Sequence, residues 1–391
     1  MRSIELFSGA GGMALGLEQA GFDSVALIEK DANACAALKF NRPQWNILRG
    51  DVRHIDFEKF GPVDLVAGGP PCQPFSMGGK AKGYEDNRDM FPQAVRAVRE
   101  LAPKAFIFEN VRGLLRSAFV DYVEFIRLQL THPSFPVSAN ADWETNLRRL
   151  QRHHTSKLQD PSLQYNVTIN LADAADYGVP QRRHRVFFVG FRSDLNVGWS
   201  FPSPTHSADA LAFSKREGGE YWQNHAVKSV CRTKRKTNLL DMAPLPNLMA
   251  DLKPWKTVRD AIADLPSPSR SSKIHNHNLQ SGARSYPGHT GSPLDEPAKA
   301  LKAGDHGVPG GENMLRNPDG EVRYFSIRES ARIQTFPDDY IFPSSWTESM
   351  RQLGNAVPVE LARVVASTVY AKLNGLAKRG TAFKPEADVS R

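Results

Sequence analysis

Cysteine is scarce in this sequence: 391 residues contain only Cys35, Cys72 and Cys231, with no Cys-x-x-Cys pair. Three thiols without paired spacing exclude a disulfide framework and argue against a cysteine-based zinc site. Long apolar runs are also missing. No segment approaches the roughly 18 apolar residues of a membrane helix, and "MRSIELFSGAGG" lacks the apolar stretch of a signal peptide. These absences predict a soluble protein of a reducing compartment, the cytoplasm, without membrane contact. No internal repeat is present. The histidines from His275 to His289 have no cysteine or carboxylate at ligand spacing, so no metal is expected.

Acidic residues are the minority charge. Lys and Arg number 50 against 42 Asp and Glu, a formal net charge of +8, which favours a polyanionic partner. What is plentiful is alternation. The runs "SIELF", "SVALIE", "DLVAGG", "AFIFEN" and "RVFFVGF" read as strands, and "MALGLEQA", "ANACAALKF" and "MFPQAVRAVREL" as helices between them. That order predicts an α/β fold with a mostly parallel sheet. Leu114 to Tyr165 reads as a helical excursion. From Phe191 to about Tyr324, Pro, Ser, Gly, His and basic residues dominate, and Trp222, Trp255, Val258 and Leu265 are the candidates to anchor a small loop-rich domain. The final pattern, "MRQLGNAVPVELARVVASTVYAKL", ends in a helix apolar at Leu361, Val364, Val365 and Val369.

Chemistry-bearing residues fall where the predicted strands end. Gly9, Gly11 and Gly12 stand between a strand and a helix, where backbone N–H groups can approach a ligand. No Gly-Lys-Ser/Thr follows, so this is not a P-loop. Glu29 and Asp51 end the next two strands, as carboxylates do along a nucleoside-binding edge. Cys72, in "GGPPCQPFS", follows the fourth strand, and Glu109 closes the fifth. Gln181, Arg182, Arg183 and Arg185 crowd "YGVPQRRHRVFFVG".

In this order the pieces resemble the cytosine-C5 DNA methyltransferases of the bacterial Dcm-like, restriction-modification type. The pieces are "ELFSGAGG", "LIEKD", "GDV", "GGPPCQPFS", "YEDNRDMF", "ENVRGLL", "GVPQRRHR", "SIRESARIQTFPD" and "QLGNAVP". The resemblance implies a Rossmann-like S-adenosylmethionine-dependent domain from residues 1–190 and 342–391, and a target-recognition domain with its hinge at 191–341. It also implies a cofactor site at Phe7, Ser8, Gly9, Gly11, Gly12, Glu29, Lys30, Asp51, Val52, Pro71, Met90, Asn355, Ala356 and Val357. Glu29 would take the ribose and Asp51 the adenine amino group. Cys72 would attack carbon 6 of a flipped-out cytosine, with Glu109 at ring N3 and Arg185, aided by Arg183, holding O2 and Glu109.

For double-stranded DNA, the resemblance implies contacts from Gln73, Ser76, Lys80, Lys82, Arg88, Ala300, Leu301 and Gly304. Ala300 departs from the family, which commonly has Thr there. Arg328, Glu329 and Arg332 would brace the hinge. A monomer is expected, alongside a restriction endonuclease that acts on the same site without contact. Two alternatives stay open. A tRNA methyltransferase would carry a Cys-Phe-Thr tripeptide, which is absent here; a binding-only relative would lack part of the set Cys72, Glu109 and Arg185, which is complete.

Overall fold

The apolar runs of the N-terminal part form five parallel strands in the computed structural model, which describes residues 1–71, 89–138, 140–156, 163–227, 251–303 and 311–382. These are β1 (Arg2–Leu6), β2 (Asp23–Glu29), β3 (Ile47–Arg49), β4 (Leu65–Gly68) and β5 (Ala105–Val111). β4 is buried throughout and β5 in all but its last residue, as continuous apolar runs demand when helices cover both faces of a sheet. Helix α1 (Gly12–Ala20) is bounded by Gly11 and Gly21, both left-handed, at φ of 84° and 99°. The Asp31 side chain caps α2 (Ala32–Asn41), and α3 (Phe91–Leu101) opens with Pro92 in its first turn.

The excursion contains helices α4 (Val120–Thr131) and α5 (Trp143–Thr155), which pack on each other. It ends in an element that the sequence reading leaves unassigned. Tyr165–Asp173 forms strand β6, and after the two-residue β7 (Gln181–Arg182) comes β8 (His184–Arg192). The sheet order is β3-β2-β1-β4-β5-β8-β6, with β8 antiparallel to both neighbours. β6 is an edge strand of mixed exposure, so its period-2 signal is weak. Between β1 and its two neighbours the strand order reverses, which opens a crevice at the carboxyl ends of the strands.

Beyond β8 the elements are short. A three-stranded sheet joins Ser292–Pro293, Met314–Arg316 and Val322–Tyr324. Val258 and Leu265 do pack in a core there, with Phe325, Ile333 and Phe342. Trp222 and Trp255 instead hold edges through their ring N–H groups, which donate to the Lys215 carbonyl and the Asp176 carboxylate. The basic run "CRTKRKT" lies outside the described residues. In and around the helix Ile327–Ile333, Arg328 donates to the carbonyls of His275, Pro337 and Tyr340, Glu329 pairs with Arg323, and Arg332 with Asp264 and Asp338. His277 is buried between the Ser326 hydroxyl and the Pro266 carbonyl.

The last helix, Val359–Ala382, returns to the first domain and lies against α1. Its Leu361, Val365 and Val369 share a core with Met13, Leu17, Ile107 and Val189. The two helices meet at Gly16, where a Cβ would stand 2.5 Å from the Ala362 Cβ and 2.7 Å from the Arg363 nitrogen. Gly16→Ala therefore should lose about 1 to 2 kcal/mol of stability, because overpacking outweighs the gain of about 1 kcal/mol in helix propensity. Adding Ala362→Gly should recover part of it. Urea unfolding measures both, and a Gly16→Ala protein as stable as its parent would show that the helices separate freely.

Candidate active site

A cavity of about 1950 Å³ opens at the carboxyl edge of the sheet, lined from the loop after β1 across to the start of β8. One end is built by the glycine loop. Phe7 has φ of 58° and Gly9 φ of 52°, so the chain turns sharply as it leaves β1. The Gly9 N–H donates to Glu29 Oε2 at 2.7 Å, while Glu29 Oε1 accepts from the N–H groups of Lys30 and Asp31. The carboxylate that ends β2 thus fixes the loop that ends β1.

The three glycines answer to different neighbours. A Cβ on Gly9 would meet nothing within 4 Å, so this position faces open space. On Gly12 it would stand 2.2 Å from the Val357 carbonyl oxygen, and on Gly11 2.7 Å from Leu38. Gly12 lets the segment 355–357 close over the loop, and Gly11 lets the loop close on α2. Of the residues that the resemblance assigns to the cofactor, Gly11 is the one that does not line the cavity; the other thirteen do. Asp51 accepts from Arg53 and Lys30, and chiefly the Arg53 guanidinium holds its carboxyl well below the usual carboxylate range.

Glu5 is a residue of this site that sequence reading misses. It sits inside the β1 run, is 2 % exposed, lines the cavity and leaves Oε2 without a hydrogen-bond partner among the described residues. Burial, reinforced by the charge of Glu29, pushes its carboxyl well above the ordinary value. A carboxyl embedded in "SIELF" looks like the polar face of a strand. Only the two-sided burial of β1 reveals otherwise.

At the other end stand Glu109 and Arg185. Val111 of β5 lies opposite Arg185 of β8, so Glu109, two residues earlier, is its diagonal neighbour on the same face. The two side chains are in direct ionic contact, both buried. The contact is not angled as a hydrogen bond, and Glu109 Oε1 and Arg185 Nε have no hydrogen-bond partner among the described residues. Burial raises the Glu109 carboxyl above its ordinary value, against the opposing pull of Arg185 and Arg183. Next to Glu109, the Asn110 side chain donates to the Pro70 carbonyl at 3.0 Å, and the Met90 N–H donates to the Pro71 carbonyl. Both ends of the segment 72–88 are therefore tied together beside β5.

Cys72, Gln73, Ser76, Lys80, Lys82 and Arg88 belong to that segment and, like Gly304, lie outside the described residues. Arg183 lies elsewhere than a catalytic pairing implies. Its guanidinium is 1 % exposed and donates to the carbonyls of Leu301, Gly354 and Ala356. It joins three chain segments rather than reaching Glu109. Gln181 does the same work beside it: its amide donates to Gln334, and its oxygen accepts from the Leu301 N–H. Ala300 lines the cavity half-buried. Leu301 is 1 % exposed, with its side chain in the core and only its backbone in this polar junction.

Comparison with known proteins agrees with this architecture. The type II methyltransferase M.Eco47II of Escherichia coli is 34% identical over 381 residues, 96% of this chain and 80% of its own length. M.NgoMIV of Neisseria gonorrhoeae, also a type II methyltransferase, is 32% identical over 380 residues, 95% of this chain and 97% of its own. Among solved structures, a prophage-encoded DNA modification methyltransferase of E. coli superposes with a TM-score of 0.57 at 23% identity, over 96% of this chain and 99% of its own. The S. pombe Dnmt2 methyltransferase does so with 0.55 at 19%, again over 96% and 99%. These two show the fold, which is that of the Rossmann-like methyltransferases. The model of C-5 cytosine-specific DNA methylases matches residues 1–138 and 145–371, and the chain belongs to that family.

Proposed function

We propose that this DNA cytosine-5-methyltransferase takes its methyl group from S-adenosylmethionine and acts on a cytosine flipped out of a specific duplex sequence, through a covalent adduct of Cys72 at carbon 6. The observation that carries the reading is the Glu109–Arg185 ion pair, which lines one end of a cavity closed at the other by the glycine loop. The residues fit the cofactor. Gly9 leaves open space, Glu29 fixes the loop, and Asp51 stays ionised at the third strand's end. When bound, S-adenosylmethionine supplies an electrophilic methyl group.

The chain's own groups then do the rest. Carbon 5 of cytosine is a poor nucleophile until the Cys72 thiolate adds at carbon 6 and makes it enamine-like. Once carbon 5 carries the methyl group, loss of its proton to a base restores the ring double bond and breaks the sulfur–carbon bond, releasing the thiolate. Glu109, with its carboxyl raised by burial, donates a proton at N3 and offsets the charge that develops, while Arg185 holds O2 and keeps Glu109 in place. Flipping exposes carbon 6 at a cost of a few kcal/mol, offset by contacts in the pocket. The shared core of α1, the sheet and the last helix supports a catalytic unit from residues 1–190 and 342–391, with 191–341 reading DNA. The type II methyltransferase relatives support a place in a restriction-modification system, and we propose that the protein acts there as a monomer beside a separate endonuclease.

Expression in a methylation-free bacterial host, followed by bisulfite sequencing, tests the reading directly. Protected cytosines should fall in one short motif, and Cys72→Ser should abolish protection while leaving S-adenosylmethionine binding within a few-fold; unchanged turnover would remove Cys72 as nucleophile. A second expectation concerns pH. Glu109 must hold its proton to act at N3, so turnover should fall as pH rises through its raised pKa. Glu109→Gln should lower kcat by about 100-fold or more and erase that alkaline limb. A limb that persists in the Gln protein would assign it to another group.

A further inference from the structure

Among the described residues, eight cationic side chains line the cavity, six arginines and two lysines. Six of them are engaged. Arg182 pairs with Asp173, Arg185 with Glu109 and Arg351 with Asp31 and Glu348, Lys30 pairs with Asp51 and Lys302 with Glu312, and Arg183 holds its three carbonyls. Arg112 and Arg116 differ: both are exposed, and neither guanidinium has a hydrogen bond or ion pair among the described residues. They bracket Leu115, which is 38% exposed and lines the same cavity.

From this pattern we infer that Arg112 and Arg116 bind two DNA backbone phosphates flanking the target nucleotide, with Leu115 against the sugar between them. The inference rests on the DNA methyltransferase reading and adds a contact surface to it. A guanidinium with no internal partner meets a phosphate without first breaking an ion pair, and its planar fork suits phosphate oxygens. Placement supports the same ligand. Residues Arg112–Leu115 form a single tight turn directly after β5, the strand that carries Glu109. Phosphates gripped there are set in register with the carboxyl that meets the base. Leu115 offers an aliphatic surface between the two charges, as a deoxyribose offers one between two phosphates.

Phosphate contacts are independent of sequence, so a random duplex reads them without knowledge of the target. The test measures Kd of the full-length protein for a fluorescent duplex by anisotropy, between about 50 and 200 mM salt, where each phosphate contributes about 0.9 to the slope of log Kd against log salt. The Arg112→Ala/Arg116→Ala protein should lose about 1.8 from that slope, while Arg112→Lys/Arg116→Lys keeps it. S-adenosylmethionine binding should be unchanged in both, which separates lost contacts from lost fold. Lys372→Ala, which removes an exposed cation of the last helix outside the cavity, should leave the slope alone. A wild-type slope in the double alanine protein, or an equal loss in Lys372→Ala, would overturn the inference. A wild-type protein without salt-dependent DNA binding would overturn the DNA reading itself, and this surface with it.

Discussion

The arrangement of this molecule depends on one buried guanidinium. Arg183 stands between β7 and β8 and gives its terminal nitrogens to the carbonyls of Leu301, Gly354 and Ala356, from two parts of the chain more than a hundred residues away. Burying a cation is costly unless its donors are satisfied, and three carbonyls left without partners would each cost about 1 to 3 kcal/mol. One geometry meets both demands at the terminal nitrogens, while Nε has no partner among the described residues. The Gln181 amide secures the same junction from β7, and Gln334 extends it to the carbonyls of Leu353 and Ala356. Where these groups meet, the loop 354–356, the segment 298–303 and the strand that carries Arg185 become a single rigid piece.

Two arginines lie one residue apart at the start of β8, and their surroundings differ. Arg183, just before the strand, commits its terminal nitrogens to backbone carbonyls. Arg185 faces Glu109 across the strand pair, and neither group completes a hydrogen bond with the other. A pair that is neutralised in charge but unsatisfied in hydrogen bonding keeps both partners in place while leaving donor and acceptor capacity for a base. Two arginines one residue apart therefore divide the work: Arg183 holds chain segments together, and Arg185 is the one proposed to meet the substrate.

The legible part of the fold was the part that periodicity encodes. Fully buried strands such as "AFIFEN" and "RVFFVGF" announce themselves as apolar runs, and the carboxylates at their ends mark the edge where the cavity opens. β6 escaped because an edge strand with one wet face alternates weakly. The site was legible in residue types but not in directions. The sequence shows that Gly11 and Gly12 lack side chains, while only the packing of Leu38 and Val357 shows why they must. It shows two arginines near Glu109, but which one reaches the carboxyl depends on the register of β5 against β8. Glu5 stayed hidden because an acid within an apolar run reads as solvated until both faces of β1 are covered.

The same distinction bears on how DNA recognition is connected to chemistry. Gly354 has no room for a Cβ, which would stand 2.3 Å from the Ala303 nitrogen and 2.4 Å from the Lys302 carbonyl carbon. The segment proposed to read DNA thus rides directly on the loop proposed to close the cofactor site, with Arg183 bonded to both. Neither can shift by more than a few tenths of an ångström without breaking buried hydrogen bonds or opening a void in close-packed backbone. A recognition surface attached this tightly transmits position rather than motion: once the duplex is seated on 298–303, the distance to Glu109 is set by covalent strands and buried polar bonds.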